Sequence, residues 1–340
     1  MTFTNEVGID LGTSNVLVYL KGKGVVINEP SVVAINTDTD EILAVGEDAK
    51  QMLGRTPSNI IAIRPLRDGV ISNYDITERM IKYFIRKICG TNRFSKSKII
   101  ISVPSGITEV EKRAITEAAT QAGGKAVYLI EEPVAAAIGA SLDITRPEGV
   151  MIIDIGGGTT DIAVISLGGI VTSAMSKVAG DKFDEVIIKY VRKEHNLYIG
   201  ERTAEEIKKT IGSAFQREEE VVMDCSGKDL VTGLPVSVKV SSTEILEALD
   251  ESLQIICAAI HEVLERTPPE LSADISIGGI MINGGGALLY GIDKRIEKST
   301  GIKVTITEEP KSCVAIGTGR ALDFINTFEN NQLNRRRPYI

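Results

Sequence analysis

Several residue types that mark other classes of protein are scarce in this 340-residue chain. It has no tryptophan and only 4% aromatic residues, so the composition does not indicate a platform on which nucleic-acid bases stack. A net charge of −8 also argues against a nucleic-acid binder. The two histidines and four cysteines are widely spaced, which predicts free thiols and no metal cluster. No apolar run approaches the ~20 residues of a membrane span, and we expect no signal peptide.

One glycine-rich stretch organises the second half of the chain. An apolar run from Val150 leads into Asp154, Gly156-Gly-Gly-Thr-Thr160 follows, and a second alternating apolar run continues to Ser166. This pattern predicts strand, tight turn and strand. Glycines let backbone amides approach a ligand closely, and successive amides in such a turn form a concave anion site. The carboxylate of Asp154 suits a hard cation.

The same residue pattern occurs near the start of the chain. Val7-Gly-Ile-Asp10 is followed by Leu-Gly-Thr-Ser-Asn15 and by an apolar run to Leu20. Asp154 follows Asp10 by 144 positions, and a repeat at that separation predicts two similar domains that face each other. Two such hairpins can hold a phosphate chain from both sides, with one aspartate of each near a metal ion.

A third glycine cluster lies at Asn283-Gly-Gly-Gly-Ala287, after the apolar run from Ile280. Here we expect a helix to follow, because a helix N-terminus favours a polar or anionic ligand. None of the three clusters matches GxxxxGK[ST] or GxGxxG, so the chain is neither a P-loop protein nor a standard Rossmann protein.

Together the three clusters resemble the phosphate 1, phosphate 2 and adenosine motifs of the actin, DnaK-type chaperone and sugar kinase superfamily. The segments Gly24–Ile35 and Ile130–Gly139 are most similar to MreB, the bacterial actin, and the similarity extends to about Phe328. Asp161 stands where the MreB pattern usually has glutamate, which keeps the charge but shortens its reach.

The resemblance implies an α/β, actin-like ATPase fold with two similar domains. Each domain has a mixed sheet flanked by helices and a small inserted subdomain, and the nucleotide lies in the cleft between them. We expect residues 1–36, 71–146 and 315–340 in the first domain, with an insert at 37–70. The second comprises 147–180 and 242–314, with an insert at 181–241.

Capping-box patterns at Thr203–Glu206 and Ser241–Glu244 predict two helix starts, and the first helix is expected to reach Glu220.

The resemblance also implies a slow ATPase that uses ATP and Mg2+. Phosphoryl transfer needs positioning and charge neutralisation. Asp10 and Asp154 are expected to hold Mg2+ through water, because Mg2+ keeps much of its hydration shell. By resemblance, the β-phosphate is assigned to Gly12, Thr13, Ser14 and Asn15, the γ-phosphate to Gly156, Gly157, Gly158 and Thr159, the adenine and ribose to Glu205, Glu206 and Lys208, and the adenosine to Gly284, Gly285, Gly286 and Ala287.

Glu132 is the candidate that orients the attacking water, assisted by Thr159, because the family motif has its catalytic glutamate before this proline. Glu131 is the alternative catalytic residue. Either acid can instead be the charged cap of the helix that begins near Pro133, where a negative charge suits the helix dipole. Glu205 and Lys208 can likewise be an ordinary i, i+3 ion pair on a helix surface.

MreB resemblance further implies paired protofilaments on the inner face of the cytoplasmic membrane and a role in cell shape. It implies partners such as RodZ, MreC and MreD, and no nucleic acid. Arg93 and Phe94 in one loop, and Arg335, Arg336 and Arg337 in the tail, are candidates for contact with anionic lipid. Each basic residue contributes ~1 kcal/mol at such a surface, and a polymer multiplies weak contacts. Solvated charge runs are the alternative, and a soluble small-molecule kinase or chaperone-like ATPase is the alternative function.

Overall fold

The computed structural model describes residues 5–67, 69–89 and 97–328. The candidate membrane residues Arg93, Phe94 and Arg335–Arg337 lie outside the described residues.

Helices and strands alternate along the chain. The strands are β1 (Asn5–Leu11), β2 (Asn15–Leu20), β3 (Gly24–Pro30), β4 (Val33–Asn36), β5 (Glu41–Val45), β6 (Ile60–Ile63), β7 (Leu66–Arg67), β8 (Val70–Ile71), β9 (Ser97–Val103), β10 (Gly124–Glu131), β11 (Val150–Ile155), β12 (Thr160–Ser166), β13 (Gly169–Ser176), β14 (Leu197–Tyr198), β15 (Val222–Asp229), β16 (Pro235–Ser241), β17 (Ile280–Asn283) and β18 (Val304–Ile306). The α-helices are α1 (Glu47–Met52), α2 (Tyr74–Cys89), α3 (Glu109–Gln121), α4 (Glu132–Gly139), α5 (Gly180–His195), α6 (Glu201–Ile211), α7 (Ser242–Arg266), α8 (Pro269–Gly278), α9 (Ile292–Thr300) and α10 (Cys313–Phe328).

Two five-stranded sheets share one topology. The first has the order β10-β9-β1-β2-β3 and the second the order β13-β12-β11-β17-β18. In each, the strand that carries the key aspartate pairs antiparallel with the next strand of its hairpin and parallel with a strand from later in the chain. The repeat seen in the sequence therefore corresponds to a structural duplication.

Helices cover both faces of these sheets, which explains their continuous apolar strands. Ile99–Ile101 in β9 and Ile152–Ile153 in β11 have no exposed surface. Between the two sheets, α4 and α10 pack against each other and share one apolar core with residues of β9, β11 and β12. The helices touch so closely that a Cβ on Gly317 would lie 1.7 Å from the carbonyl oxygen of Ala135. This contact fixes the base of the cleft between the halves.

Each half carries a small three-stranded sheet: β5-β4-β6, packed on α1, and β14-β15-β16, packed on α6 and α7. The expected boundary at 36/37 is wrong, because β4 pairs with β5 and β6 in the small sheet. Ser31 still bonds to the first hairpin through Gly12, whereas Val32 packs with Ala34 and Ala49 of the insert, so the chain changes from one to the other at about residue 32.

The helix starts were predicted with mixed success. The capping box at Ser241–Glu244 is confirmed, since the Ser241 hydroxyl accepts from the Glu244 amide and the Glu244 carboxylate accepts from the Ser241 amide. The box at Thr203 is wrong: α6 begins two residues earlier at Glu201 and ends at Ile211. The third glycine cluster forms a 3-10 turn over Gly285–Leu288, and α8, α9 and β18 were not predicted.

Two further expectations concern single residues and membrane spans. Cys225, Cys257 and Cys313 are buried free thiols, as predicted. In the part of the chain that the structure describes, no helix is both long and apolar enough to cross a membrane.

Candidate functional site

The first hairpin presents its aspartate at the edge of the cleft. Asp10 lies next to last in β1, and its carboxylate accepts a hydrogen bond of 3.0 Å from the hydroxyl of Ser102 on the adjacent strand β9. Ser31 holds the loop that follows Asp10. Its hydroxyl donates to the Gly12 carbonyl at 2.5 Å, and its amide donates to the Ser14 carbonyl at 2.9 Å.

The second hairpin has the same form. Asp154 lies next to last in β11 and faces Asp161 across the strand pair. Its turn is closed by a bond from the Gly156 amide to the Thr159 carbonyl at 2.9 Å. The start of α5 is bonded to this turn, since the amides of Gly180 and Asp181 donate to the carbonyls of Gly156 and Gly157 at 3.2 and 2.7 Å.

The two glycine loops touch each other. A Cβ added to Gly157 would lie 1.9 Å from the hydroxyl of Ser14 and 2.8 Å from its Cβ. Gly157 does not have a positive φ, so glycine is needed here for space and not for backbone freedom. The contact shows that the repeated hairpins face each other, as the sequence predicted.

Four carboxyl groups gather where the loops meet: Asp154 and Asp161, which are buried, and Asp10 and Glu132, which are half-buried. Burial raises the pKa of Asp10 to about 6, although the Ser102 hydroxyl opposes the shift. Burial, reinforced by the charges of its neighbours, raises the pKa of Glu132 and Asp154 well above their usual values. Burial also raises the pKa of Asp161 to about 6, against a hydrogen bond from Thr159.

This acidic cluster is chemically suited to a hard divalent cation. No described lysine or arginine contributes to the pKa shifts of Asp10, Glu132 or Asp154, and one buried oxygen of Asp161 has no hydrogen-bond partner. Yet no three Asp, Glu, His or Cys side chains within the described ranges converge closely enough to chelate an ion alone. A cation here would therefore complete its shell with water and with oxygens of a ligand, the arrangement that Mg2+ prefers.

The third glycine cluster forms the wall beside the second hairpin. Asn283 ends β17 next to Asp154 and is fully buried, with its side-chain oxygen accepting from the Thr307 hydroxyl at 3.2 Å. Gly284 has a φ of 84° and lies against Asp154 and Ile155, where a Cβ would clash at 2.3 Å. The chain thus turns away from the strand directly above the acidic cluster.

These walls enclose a cavity of about 690 Å³. That volume lies within the roughly 300–1,000 Å³ of small-molecule sites. Glycine loops with free amides, an acidic cluster and a cavity of this size form a site for a phosphorylated ligand with a cation.

Comparison with known proteins identifies the chain. The family model described as MreB/Mbl protein matches residues 4–330. Cell shape-determining protein Mbl of Bacillus cereus is 53% identical over 331 residues, which cover 97% of this chain and 99% of that protein. The chain belongs to the MreB/Mbl family.

Solved structures share the architecture. MreB5 of Spiroplasma citri bound to AMPPNP matches with a TM-score of 0.90 at 41% identity, over 97% of this chain and 98% of that one. The MamK double helical filament matches with a TM-score of 0.79 at 21% identity, over 94% and 98% of the two chains, a likeness that concerns the fold alone. The predicted actin-like α/β fold is confirmed.

Most of the site residues predicted for this MreB/Mbl chain line this cavity between the halves. They are Asp10, Gly12, Thr13, Ser14, Asn15, Glu132, Asp154, Gly156, Gly157, Gly158, Thr159, Glu205, Lys208, Gly284, Gly285 and Gly286. Their roles stay predictions, but residues from five separate segments meet in one place.

Three predicted residues do not line the cavity. Glu131 is the last residue of β10 and stands at the N-cap of α4 without a side-chain capping bond. Glu206 lies on the exposed side of α6, and Ala287 is buried behind the third glycine cluster. Because a helix turns 100° per residue, Glu205 and Glu206 point in different directions, and the role of Glu206 stays a prediction.

Glu205 and Lys208 also do not pair with each other. The Lys208 ammonium donates to the Gly180 carbonyl at 2.7 Å and to Asp184 at 2.8 Å. Glu205 instead accepts from Lys209 and lies 3.4 Å from Lys50. Despite partial burial, the bond from Lys209 and these charges lower the pKa of Glu205 to about 2.

Sequence reasoning missed several other cavity residues. Lys50, Arg64, Asp181 and Asp184 line the cavity, yet none belongs to a glycine motif. Only the position of Asp181, directly after Gly180 at a helix start, carried a local signal.

Proposed function

We propose that this MreB/Mbl chain is an actin-like ATPase that binds and hydrolyses ATP-Mg2+ and polymerises into filaments that help to determine cell shape. The observation that carries the proposal is the pair of touching glycine loops above an acidic cluster. Family membership supports it, as does the AMPPNP bound to the similar MreB5 structure.

In the proposed complex, backbone amides and hydroxyls of Gly12–Asn15 hold the β-phosphate region from the first half. Those of Gly156–Thr159 hold the γ-phosphate from the second half. Mg2+, held through water by Asp10 and Asp154, would neutralise charge on the phosphates. Catalysis then depends on position and charge, since phosphoryl transfer requires little covalent help.

Glu132 is the proposed residue that orients the attacking water and accepts its proton. It belongs to the acidic cluster, is half-buried and lines the cavity, whereas Glu131 does not line it. Burial raises the pKa of Glu132, so its carboxylate is a stronger proton acceptor than that of an exposed glutamate, which suits a general base. Thr159, in the loop assigned to the γ-phosphate, lines the same cavity.

Phosphate release and nucleotide binding, measured separately, test this assignment. Glu132→Gln keeps the shape but removes the base, so we expect fluorescent-ATP binding to persist while phosphate release falls by ~10²–10⁴. Glu131→Gln is the matched control and should retain most turnover. A normal rate in Glu132→Gln together with a loss in Glu131→Gln would transfer the role to Glu131.

Assembly needs its own test. We expect the purified protein to sediment with ATP, and more of it to sediment with vesicles of anionic lipid than with zwitterionic vesicles. Arg93, Phe94 and the tail arginines are the proposed lipid contacts, and Phe94→Ala should reduce vesicle binding without reducing polymer. RodZ, MreC and MreD stay proposed partners. A monomer that transfers phosphate to a sugar would instead support the alternative small-molecule kinase.

A further inference from the structure

Among the described residues, two close ion pairs cross the cleft between the halves of the molecule, with a third, longer contact beside them. Arg64 lies 3.0 Å from Asp181, and Lys50 lies 3.4 Å from Glu205. Both cations belong to the first small sheet and its helix, since Lys50 is in α1 and Arg64 directly follows β6. Both anions belong to α5 and α6 of the second half. All four side chains line the cavity.

Asp181, the acid of the first pair, lies at a helix start that is bonded to the second glycine loop. The Asp181 amide donates to Gly157 at 2.7 Å and the Gly180 amide to Gly156 at 3.2 Å. Lys208 holds the same helix start through the Gly180 carbonyl at 2.7 Å. A displacement of the Gly156–Gly158 loop would therefore move Asp181 relative to Arg64.

We propose that Arg64–Asp181 and Lys50–Glu205 form a clamp that positions the two walls of the cleft around a bound nucleoside triphosphate and slows its release. The proposal rests on the proposed nucleotide binding and adds positioning residues to it. Widening the cleft separates the small sheet from α5 and α6, and so breaks both pairs. Because Asp181 is bonded to the loop assigned to the γ-phosphate, the clamp is strongest when that loop is in place.

The alternative is that these are ordinary surface pairs, which often contribute little. Three features favour the clamp. The paired residues are 117 and 155 positions apart and lie on opposite walls. The side chains are only 23–34% exposed, so solvent screens them less than it screens an exposed i, i+4 pair such as Arg113–Glu117. Arg64 also approaches Glu201 at 3.9 Å, so its partners all lie across the cleft.

A double-mutant cycle on release of a fluorescent, non-hydrolysable ATP analogue tests the clamp. We expect Arg64→Ala and Asp181→Asn each to speed release about fivefold, the factor that ~1 kcal/mol produces. The double variant should be no faster than either single one, because both remove the same interaction. Lys50→Ala should add a further increase of similar size. Arg67→Ala, which removes an exposed cation three residues from Arg64 and outside the cavity, should release at the wild-type rate.

Salt gives a second measurement that needs no substitution. Raising the salt concentration should speed release from the wild type and have less effect on the Arg64→Ala, Lys50→Ala double variant, because screening weakens only the pairs that exist. Two results would overturn the clamp. One is a release rate in the Arg64→Ala, Asp181→Asn variant that equals the product of the two single effects. The other is an equal salt response of the wild type and the Arg64→Ala, Lys50→Ala variant. If the wild type bound no nucleotide, the proposed function would fall as well; tight binding with unchanged release in every variant would overturn the clamp alone.

Discussion

Gly157→Ala is the most direct test of the contact between the two glycine loops. The new methyl group would lie 1.9 Å from the Ser14 hydroxyl and 2.8 Å from the Ser14 Cβ. The hydroxyl can rotate away, but the Cβ can move only with the backbone. Restoring an ordinary contact of 3.4 Å at that carbon requires the loops to separate by about 0.6 Å.

A shift of this size is large for phosphoryl transfer. Displacement of reacting groups by ~1 Å costs up to ~10²-fold in rate, so we expect phosphate release from Gly157→Ala to fall by ~10- to 100-fold. Folding should change little, because the clash can be relieved by widening the cleft and no buried core atom is displaced.

Single-turnover phosphate release at saturating ATP is the assay, with thermal unfolding measured in parallel. Gly156→Ala is the matched control on the same loop, since its Cβ would come no nearer than 3.2 Å to the Thr159 carbonyl, and it should lose less activity. Ser14→Gly removes both clashing atoms, so adding Gly157→Ala to that background should cost almost nothing further.

Two results would refute this reasoning. Wild-type turnover in Gly157→Ala would mean that the loops do not approach each other this closely during catalysis. An equal loss from Gly157→Ala with and without Ser14→Gly would mean that the cost arises elsewhere, for example from the amide of the loop itself.

Two further predictions concern stability. Burial raises the pKa of Asp10 to about 6 from 3.8, so folding favours its protonated form, and this stabilisation is lost as pH rises from about 4 through 6. Without nucleotide, urea unfolding should show lower stability at pH 7 than at pH 5, and Asp10→Asn should reduce that difference by on the order of 1 kcal/mol; an unchanged pH dependence in Asp10→Asn would contradict the assignment. Gly317→Ala should destabilise by ~1–3 kcal/mol or more in the same assay, because its Cβ would meet the Ala135 carbonyl, whereas Gly278→Ala, with no atom within 4 Å, should not; equal stability of the two would contradict the tight α4–α10 contact.

The features that could be predicted from the sequence are those with a local cause. Apolar runs interrupted by glycines predict the hairpins at Asp10 and Asp154. Because the pattern occurs twice, it also predicts two matching sheets. The Ser241 capping box was found because serine and glutamate stand at the required spacing directly before an apolar period. Thr203 and Glu206 have the same spacing, but α6 begins earlier, directly after Gly200. The reason is that β14, Leu197–Tyr198, pairs with β15 and ends with only two residues between it and Glu201, where the helix starts.

Other errors arose where tertiary pairing decided the outcome. Val33–Asn36 has the composition of any short strand, and nothing local shows that it leaves the first sheet to join β5 and β6. The third glycine cluster was expected to start a helix, yet Gly284 must pass Asp154 without a side chain and the chain then forms only one 3-10 turn. The pattern gives the residue types, whereas the packing of neighbouring strands sets where the chain turns.

The cross-cleft pairs mark the limit of local reasoning most clearly. In the sequence, Glu205 stands four residues before Lys209 and three before Lys208, so a helical pair was the obvious interpretation. In the structure, Lys209 does donate to Glu205, but Lys50 from the first half of the molecule also lies next to Glu205. Lys208 turns to Asp184 and the Gly180 carbonyl instead. A charge whose partner is 155 positions away becomes visible only after both sheets have formed and α4 and α10 have set the distance between them. Cleft closure is therefore a property of the assembled halves, and substitutions that alter it need not touch any glycine motif.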